Sequence, residues 1–209
     1  RSFLAHKLSG LGDVLATEGD LREARRNHEE AFLIRKELGE KGGIAESQLA
    51  LAQISIEEGN PKAGEELVAK ALEEFQKQKR VDDEASAQAV LAQSLLAQKE
   101  PARAQESIER ALALSGQTSK RSSRFAVAIT AANIDAAVGR TAKATSSLKR
   151  ILAEAVRAGL VSTQLEARLT LGEIALTSNN AAEGIAQLLN VESGQIDLSL
   201  VTDDGGSLC

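Results

Sequence analysis

Apolar residues recur at intervals of three and four along most of this chain, and the whole pattern repeats every forty positions. Leu11, Leu51, Leu91, Ala131 and Leu171 form an apolar column, while Ala24, Gly64, Ala104, Ala144 and Gly184 form a small one. The spacing of three and four predicts amphipathic helices. Between the two columns lies a third, Gly19, Gly59, Lys99, Gly139 and Asn179, where each helix pair is interrupted. With that column as a ruler, helices are predicted over 2–18 and 21–38, 43–58 and 61–78, 83–98 and 101–115, 121–138 and 141–158, and 162–178 and 181–191. A fixed period of this size marks a solenoid, in which each hairpin buries its apolar face against its neighbours.

The punctuation agrees with this division. Pro61 and Pro101 fall at the same place in successive repeats, the first turn of the second helix. There the missing N–H has no intrahelical partner to lose. Gly39, Gly42 and Gly43 are expected to separate the first pair from the second, and Gly116 and Gly159 to mark later breaks. The repeats are thus placed at about 2–38, 43–78, 83–115, 121–158 and 162–191, forming one module over 1–191. Residues 192–209 are expected to be an irregular or disordered tail, since Ile196, Leu198 and Leu200 alternate with polar residues and Asp203 to Gly206 reads as a turn.

Composition narrows the picture. Ala, Leu, Glu, Gln and Lys favour helix, and with four Phe and no Trp or Tyr the core must be aliphatic and closely packed. The chain contains no Met, which reads as a piece of something longer. Its one cysteine, Cys209, is the last residue, so no disulfide forms within the chain and no thiolate metal site is predicted. No apolar run approaches the length of a membrane span. A cytoplasmic location is expected, with an extracytoplasmic position behind an upstream anchor as the alternative.

The net charge of −5 is unevenly distributed: residues 119–158 carry eight cations and two anions, whereas 159–209 carry one and seven. Arg140, Lys143, Lys149, Arg150 and Arg157 of that basic band read as solvated helix surface. Nucleic-acid binding is not predicted, because no aromatic or groove-reading motif accompanies the charge.

The run Leu8, Leu11-Gly12, Leu15, Gly19, Ala24, Ala31, echoed by Leu171-Gly172 and Gly184, resembles a tetratricopeptide repeat without its large aromatics. The forty-residue interval is longer than that family's usual thirty-four. The resemblance implies an all-α fold, a right-handed α-α superhelix of five hairpins. The segments Glu37 to Ala45, Val81 to Ala85 and Leu165 to Ile174 look like the arrays that follow a Ser/Thr kinase or winged-helix domain in large bacterial signalling proteins. A non-enzymatic scaffold for protein–protein interaction is the function so implied; a structural spacer or self-association module is the alternative.

Other chemistry finds little support. His6 and His28 are too far apart for a metal site without further ligands, and His28 takes the place of Val68, Ile108, Leu148 and Leu188, which predicts a packed histidine. Gly10-Leu11-Gly12 lacks the strand and third glycine of a phosphate loop. No catalytic, metal-binding or cofactor-binding residue is predicted, and no cofactor.

In tetratricopeptide arrays the first helix of each pair lines the concave surface. In phase, the middle of that surface is Asp13, Gln53, Gln93, Asn133 and Glu173, a ladder of hydrogen-bond acceptors. Leu49, Ile129 and Leu169 are expected as apolar shoulders on one side, and Ile56 and Leu96 on the other. Amides spaced along a groove can pair with the backbone of an extended peptide while shoulders take its side chains. The cations with which arrays of this family hold a terminal carboxylate are absent, their positions carrying Ser9, Asp13, Ala50, Ser86 and Val90. The expected partner is a neutral or basic protein segment rather than an acidic C-terminus, with weak self-association through the last repeat as a further possibility.

Overall fold

A computed structural model describes residues 1–118, 120–178 and 184–187. They are built from α1 (Ser2–Thr17), α2 (Leu21–Leu38), α3 (Lys41–Glu57), α4 (Pro61–Lys77), α5 (Val81–Ala97), α6 (Pro101–Ser115), α7 (Arg121–Ala137), α8 (Thr141–Arg157) and α9 (Val161–Thr177), with a further helical turn over 184–187. The described residues contain no strand. The expected tail, Asn179 and most of the last helix lie outside them. The residues gather into two compact units, Arg1–Lys120 and Arg121–Cys209.

Seven of the described helices, α1 to α5, α7 and α8, end where the chain reverses through one left-handed residue. Gly19, Gly59 and Gly139 have φ of 85°, 81° and 85°, and Lys99 keeps the same turn at 63° without being glycine. A second column, Gly39, Lys79 and Gly159, closes the opposite turns at 69°, 56° and 65°. The residue after each turn donates its N–H to the carbonyl five residues back, as in Asp20 to Leu15 (2.9 Å), Asn60 to Ser55 (2.8 Å) and Glu100 to Leu95 (2.9 Å). These bonds occupy carbonyls that a helix end would otherwise leave open.

Two of the expected breaks are not breaks. Gly42 and Gly43 belong to the first turn of α3, and only Gly39 takes the left-handed turn. A Cβ on Gly43 would stand 2.9 Å from the Arg35 side chain. Arg35 is 6% exposed and donates to Gly43 O (3.2 Å) and Ser47 Oγ (2.8 Å). The glycine there makes room for a buried guanidinium.

Within the first unit, α1 packs on α2, α3 on α4 and α5 on α6, and each even helix packs on the next odd one. The odd helices also touch one another, α1 to α3 and α3 to α5, whereas the even helices do not. In this unit the odd helices therefore lie on the tighter side of the stack. In the second unit α8 packs against both α7 and α9, and α7 touches α9.

The small column sets how closely each pair approaches. Ala24, Ala104 and Ala144 are fully buried. Gly64 occurs where α3 presents Ile56, whose Cγ1 would be 2.8 Å from an added Cβ, and Gly184 where Leu176 Cγ would be 2.7 Å away. Opposite Ala24 and Ala144 the same positions hold Ala16 and Ala136. At Gly64 and Gly184 bulk removed from one helix is returned by the other, which keeps the interior close-packed.

Polar links join successive hairpins of the first unit. Arg25 on α2 forks onto Glu58, with Nε at 3.0 Å and Nη2 at 2.6 Å, and its Nη2 donates to Ser55 at 3.1 Å. Forty residues on, Glu65 on α4 accepts from Gln98 (2.7 Å) and Arg103 (2.7 Å). In the second unit these places hold Thr145 and Ser178, both lining a cleft with Lys149.

Candidate peptide groove

The five middle positions fall on α1, α3, α5, α7 and α9. Asp13, Gln53 and Glu173 are exposed, and Gln93 and Asn133 are half-buried. No side-chain hydrogen bond engages Gln53, Gln93 or Asn133 among the described residues. Links between neighbouring odd helices therefore do not consume these amides. In the first unit the rungs are Asp13, Gln53 and Gln93; in the second they are Asn133 and Glu173.

The expected shoulders differ from one another. Ile129 is 3% exposed and belongs to the core of the second unit, so it offers no free apolar surface. Leu49 and Ile56 are half-buried at the margin of the core around Val68 and Phe75. Ile56 lies over Gly64, so its main task is to close its own hairpin. Leu96 is half-buried, and Leu169 is 45% exposed. The shoulder signal was ambiguous because groove-facing and pair-facing positions on an odd helix are only one turn apart.

Asp13 and Gln53 come together at a cleft of about 290 Å³ between α1 and α3. Glu57 joins them on its rim, and Ala16, Ala50 and Ile54 supply apolar wall. His28 on α2 reaches the same cleft and is 2% exposed, with Nε2 3.4 Å from Asp13 Oδ1. Its ring covers Gly12, where an added Cβ would be 2.6 Å from Nε2. The packed histidine is thus present, and Gly12 of the Leu11-Gly12 motif lies mid-helix to receive it. Partial burial in this cleft pushes the Glu57 carboxyl above its ordinary value.

Glu58, by contrast, is committed to Arg25. Two cations of the basic band, Arg140 and Lys143, contact Asp135 at 2.7 and 3.0 Å, and Asp135 is 6% exposed. Among the described residues no group of three His, Cys, Asp or Glu side chains could hold a metal ion, and no helix is long and apolar enough to cross a membrane.

No family model matches the sequence, and no curated protein does. Solved structures do match. A Podosopora anserina chain named for kinesin light chain and for nearly identical TPR-like repeats superposes with a TM-score of 0.60, at 20% identity, over 92% of this chain and 96% of that one. A form of it carrying one substitution gives the same score and identity, covering 94% of that chain. BtubC (BKLC) from P. vanneervenii gives 0.63, at 18% identity, over 92% of this chain and 80% of that one. The fold is that of a tetratricopeptide-like helical-repeat solenoid.

Proposed function

We propose that the chain is a non-enzymatic interaction module that holds an extended protein segment against its odd-numbered helices, as part of a larger bacterial signalling or regulatory protein. The fold is in general a scaffold fold, which suggests protein partners. The observation that carries the reading is the unengaged amides of Gln53, Gln93 and Asn133. A primary amide offers both donors and an acceptor, and can therefore satisfy the N–H and C=O of an extended backbone. Asp13, Glu57 and Glu173 favour a neutral or basic segment.

A peptide array of extended ten-residue sequences, neutral, basic and acidic, tests this directly. Neutral and basic spots should bind the chain and acid-terminated ones should not. Replacing Gln53, Gln93 and Asn133 together by Ala should clear the bound spots with helicity unchanged by circular dichroism. Retention of the same spots by the triple variant would refute the groove.

A further inference from the structure

We infer that a cleft between the first turn of α7 and the last turn of α8 binds a phosphate dianion, free or carried as an ester on a protein side chain, through three arginines. The cleft, of about 290 Å³, is lined by Arg121, Arg124, Phe125, Glu154, Arg157 and Ala158. It lies wholly in the second unit and shares no residue with the groove, so its failure would leave the groove reading untouched.

The forty-residue register shows what this place holds elsewhere in the chain. In the first repeat the positions of Arg121 and Arg157 are Arg1 and Glu37, and these form an ion pair at 2.8 Å. The hairpin thus brings the two positions together, and in the fourth repeat it brings together two cations. In the third repeat neither position is charged, being Val81 and Gln117. The second repeat does carry two cations, Lys41 and Lys77, but Lys77 turns to Glu73 at 2.7 Å. The place of Glu73 in the fourth repeat is Ala153, so Arg157 has no such acid beside it. Arg121, Arg124 and Arg157 form no ion pair or side-chain hydrogen bond with any described residue. Cations held close without a counter-ion repel, and an anion between them turns that repulsion into attraction.

Charge and shape select the anion. Three guanidinium groups against the one carboxylate of Glu154 leave an excess of two positive charges around the cleft. A phosphate monoester carries about −1.5 to −2 at pH 7, and its oxygens accept from more than one guanidinium fork. A carboxylate would offset half of that excess and occupy a single fork. Phe125, 7% exposed, supplies apolar wall, and all three arginines are open to solvent, so an incoming anion can reach them.

The test uses the whole chain, labelled with ¹⁵N, at fixed ionic strength in phosphate-free buffer. Probes are inorganic phosphate and a blocked pentapeptide Ala-Ala-Ser-Ala-Ala with its serine phosphorylated, unmodified or replaced by glutamate. Saturable amide shifts confined to residues 121–125 and 154–158 are expected with both phosphate probes, weaker with glutamate and absent with serine. Tighter binding of the phosphopeptide than of the ion would assign the site to a phosphorylated side chain, and the reverse order to free phosphate. Arg121→Gln and Arg157→Gln, checked for helicity, should each weaken binding about tenfold, as loss of a charged hydrogen-bond partner does. Arg150→Gln, in the same basic band but outside the cleft, should leave it unchanged. Arg157→Glu restores the charge pairing of Arg1 with Glu37; its unfolding midpoint should be insensitive to phosphate, whereas that of wild type rises with phosphate concentration. Absence of saturable shifts, shifts scattered over every basic helix face, equal affinity for the glutamate peptide, or an equal loss in Arg150→Gln would overturn the site.

Discussion

Gly12 and His28 should behave as one unit, and a double-mutant cycle can measure this. In the other described repeats the two positions read Ala52 with Val68, Ala92 with Ile108 and Ala132 with Leu148, all buried. In the first they read glycine and histidine. Adding a methyl at Gly12 has two opposed effects. Replacing a mid-helix glycine by alanine favours helix by about 1 kcal/mol. The same methyl meets His28 Nε2 at 2.6 Å and Cδ2 at 2.7 Å, in a ring only 2% exposed. Overpacking of that kind costs about 1–3 kcal/mol. Gly12→Ala alone should therefore be neutral to destabilising by about 2 kcal/mol, the difference of those two ranges. In a His28→Val background the clash disappears, and the same substitution should stabilise by about 1 kcal/mol. The coupling is then roughly the steric cost alone, about 1–3 kcal/mol. Urea unfolding followed by helical circular dichroism gives the four stabilities, and amide exchange within α1 reads the first hairpin separately. Separate readings matter because repeats can open one at a time. If Gly12→Ala changes stability equally in both backgrounds, to within about 0.5 kcal/mol, the packing argument is wrong.

Lys99→Gly should raise the unfolding midpoint, since a non-glycine residue at φ 63° carries a penalty of about 1 kcal/mol; Gly59→Ala should lower it by a similar amount. Ala104→Leu should cost about 1–3 kcal/mol by forcing α5 and α6 apart, with thermal unfolding as the readout. Acid should loosen the link between α4 and α5. The hydrogen bond from Gln98, and then the contact with Arg103, hold the Glu65 carboxyl below its ordinary value. Its contribution is thus present above the ordinary carboxylate range and lost as pH falls from there through the lowered value of the folded state. The stability gap between wild type and Glu65→Gln, measured by urea unfolding at neutral pH and again in acid, should shrink; a constant gap would count against the link.

The helices and turns were legible because each repeat restates them. A column carrying Gly19, Gly59 and Gly139 announces a left-handed turn loudly enough that Lys99 can be read by position alone. Gly42 and Gly43 misled because glycine signals two different things, a backbone conformation or the lack of a side chain. Only contacts from outside the helix distinguish them, Arg35 against Gly43 and Gln78 with Arg80 against Gly42. Polar residues recur in phase on the odd helices, yet Ile129 belongs to the core, because period assigns a face and not a depth. The cleft at Asp13 escaped notice for a similar reason. It needs His28 from α2 beside Glu57 from α3, a pairing that no single column contains.

The links between hairpins carry a consequence for how the chain finds its register while folding. Arg25 reaches forward to Glu58, but Glu65, its equivalent, reaches forward to Gln98. Were a second hairpin from another molecule to stack on the second hairpin of this one, Glu65 would meet Glu58, and two carboxylates would replace an ion pair. Were the third hairpin to follow the first directly, Arg25 would find only an amide. Near-identical repeats invite such mispairing, and the reversal of charge from one junction to the next gives each hairpin of the first unit a preferred neighbour. The order of the stack is thus written in its junctions as well as in the chain that connects them.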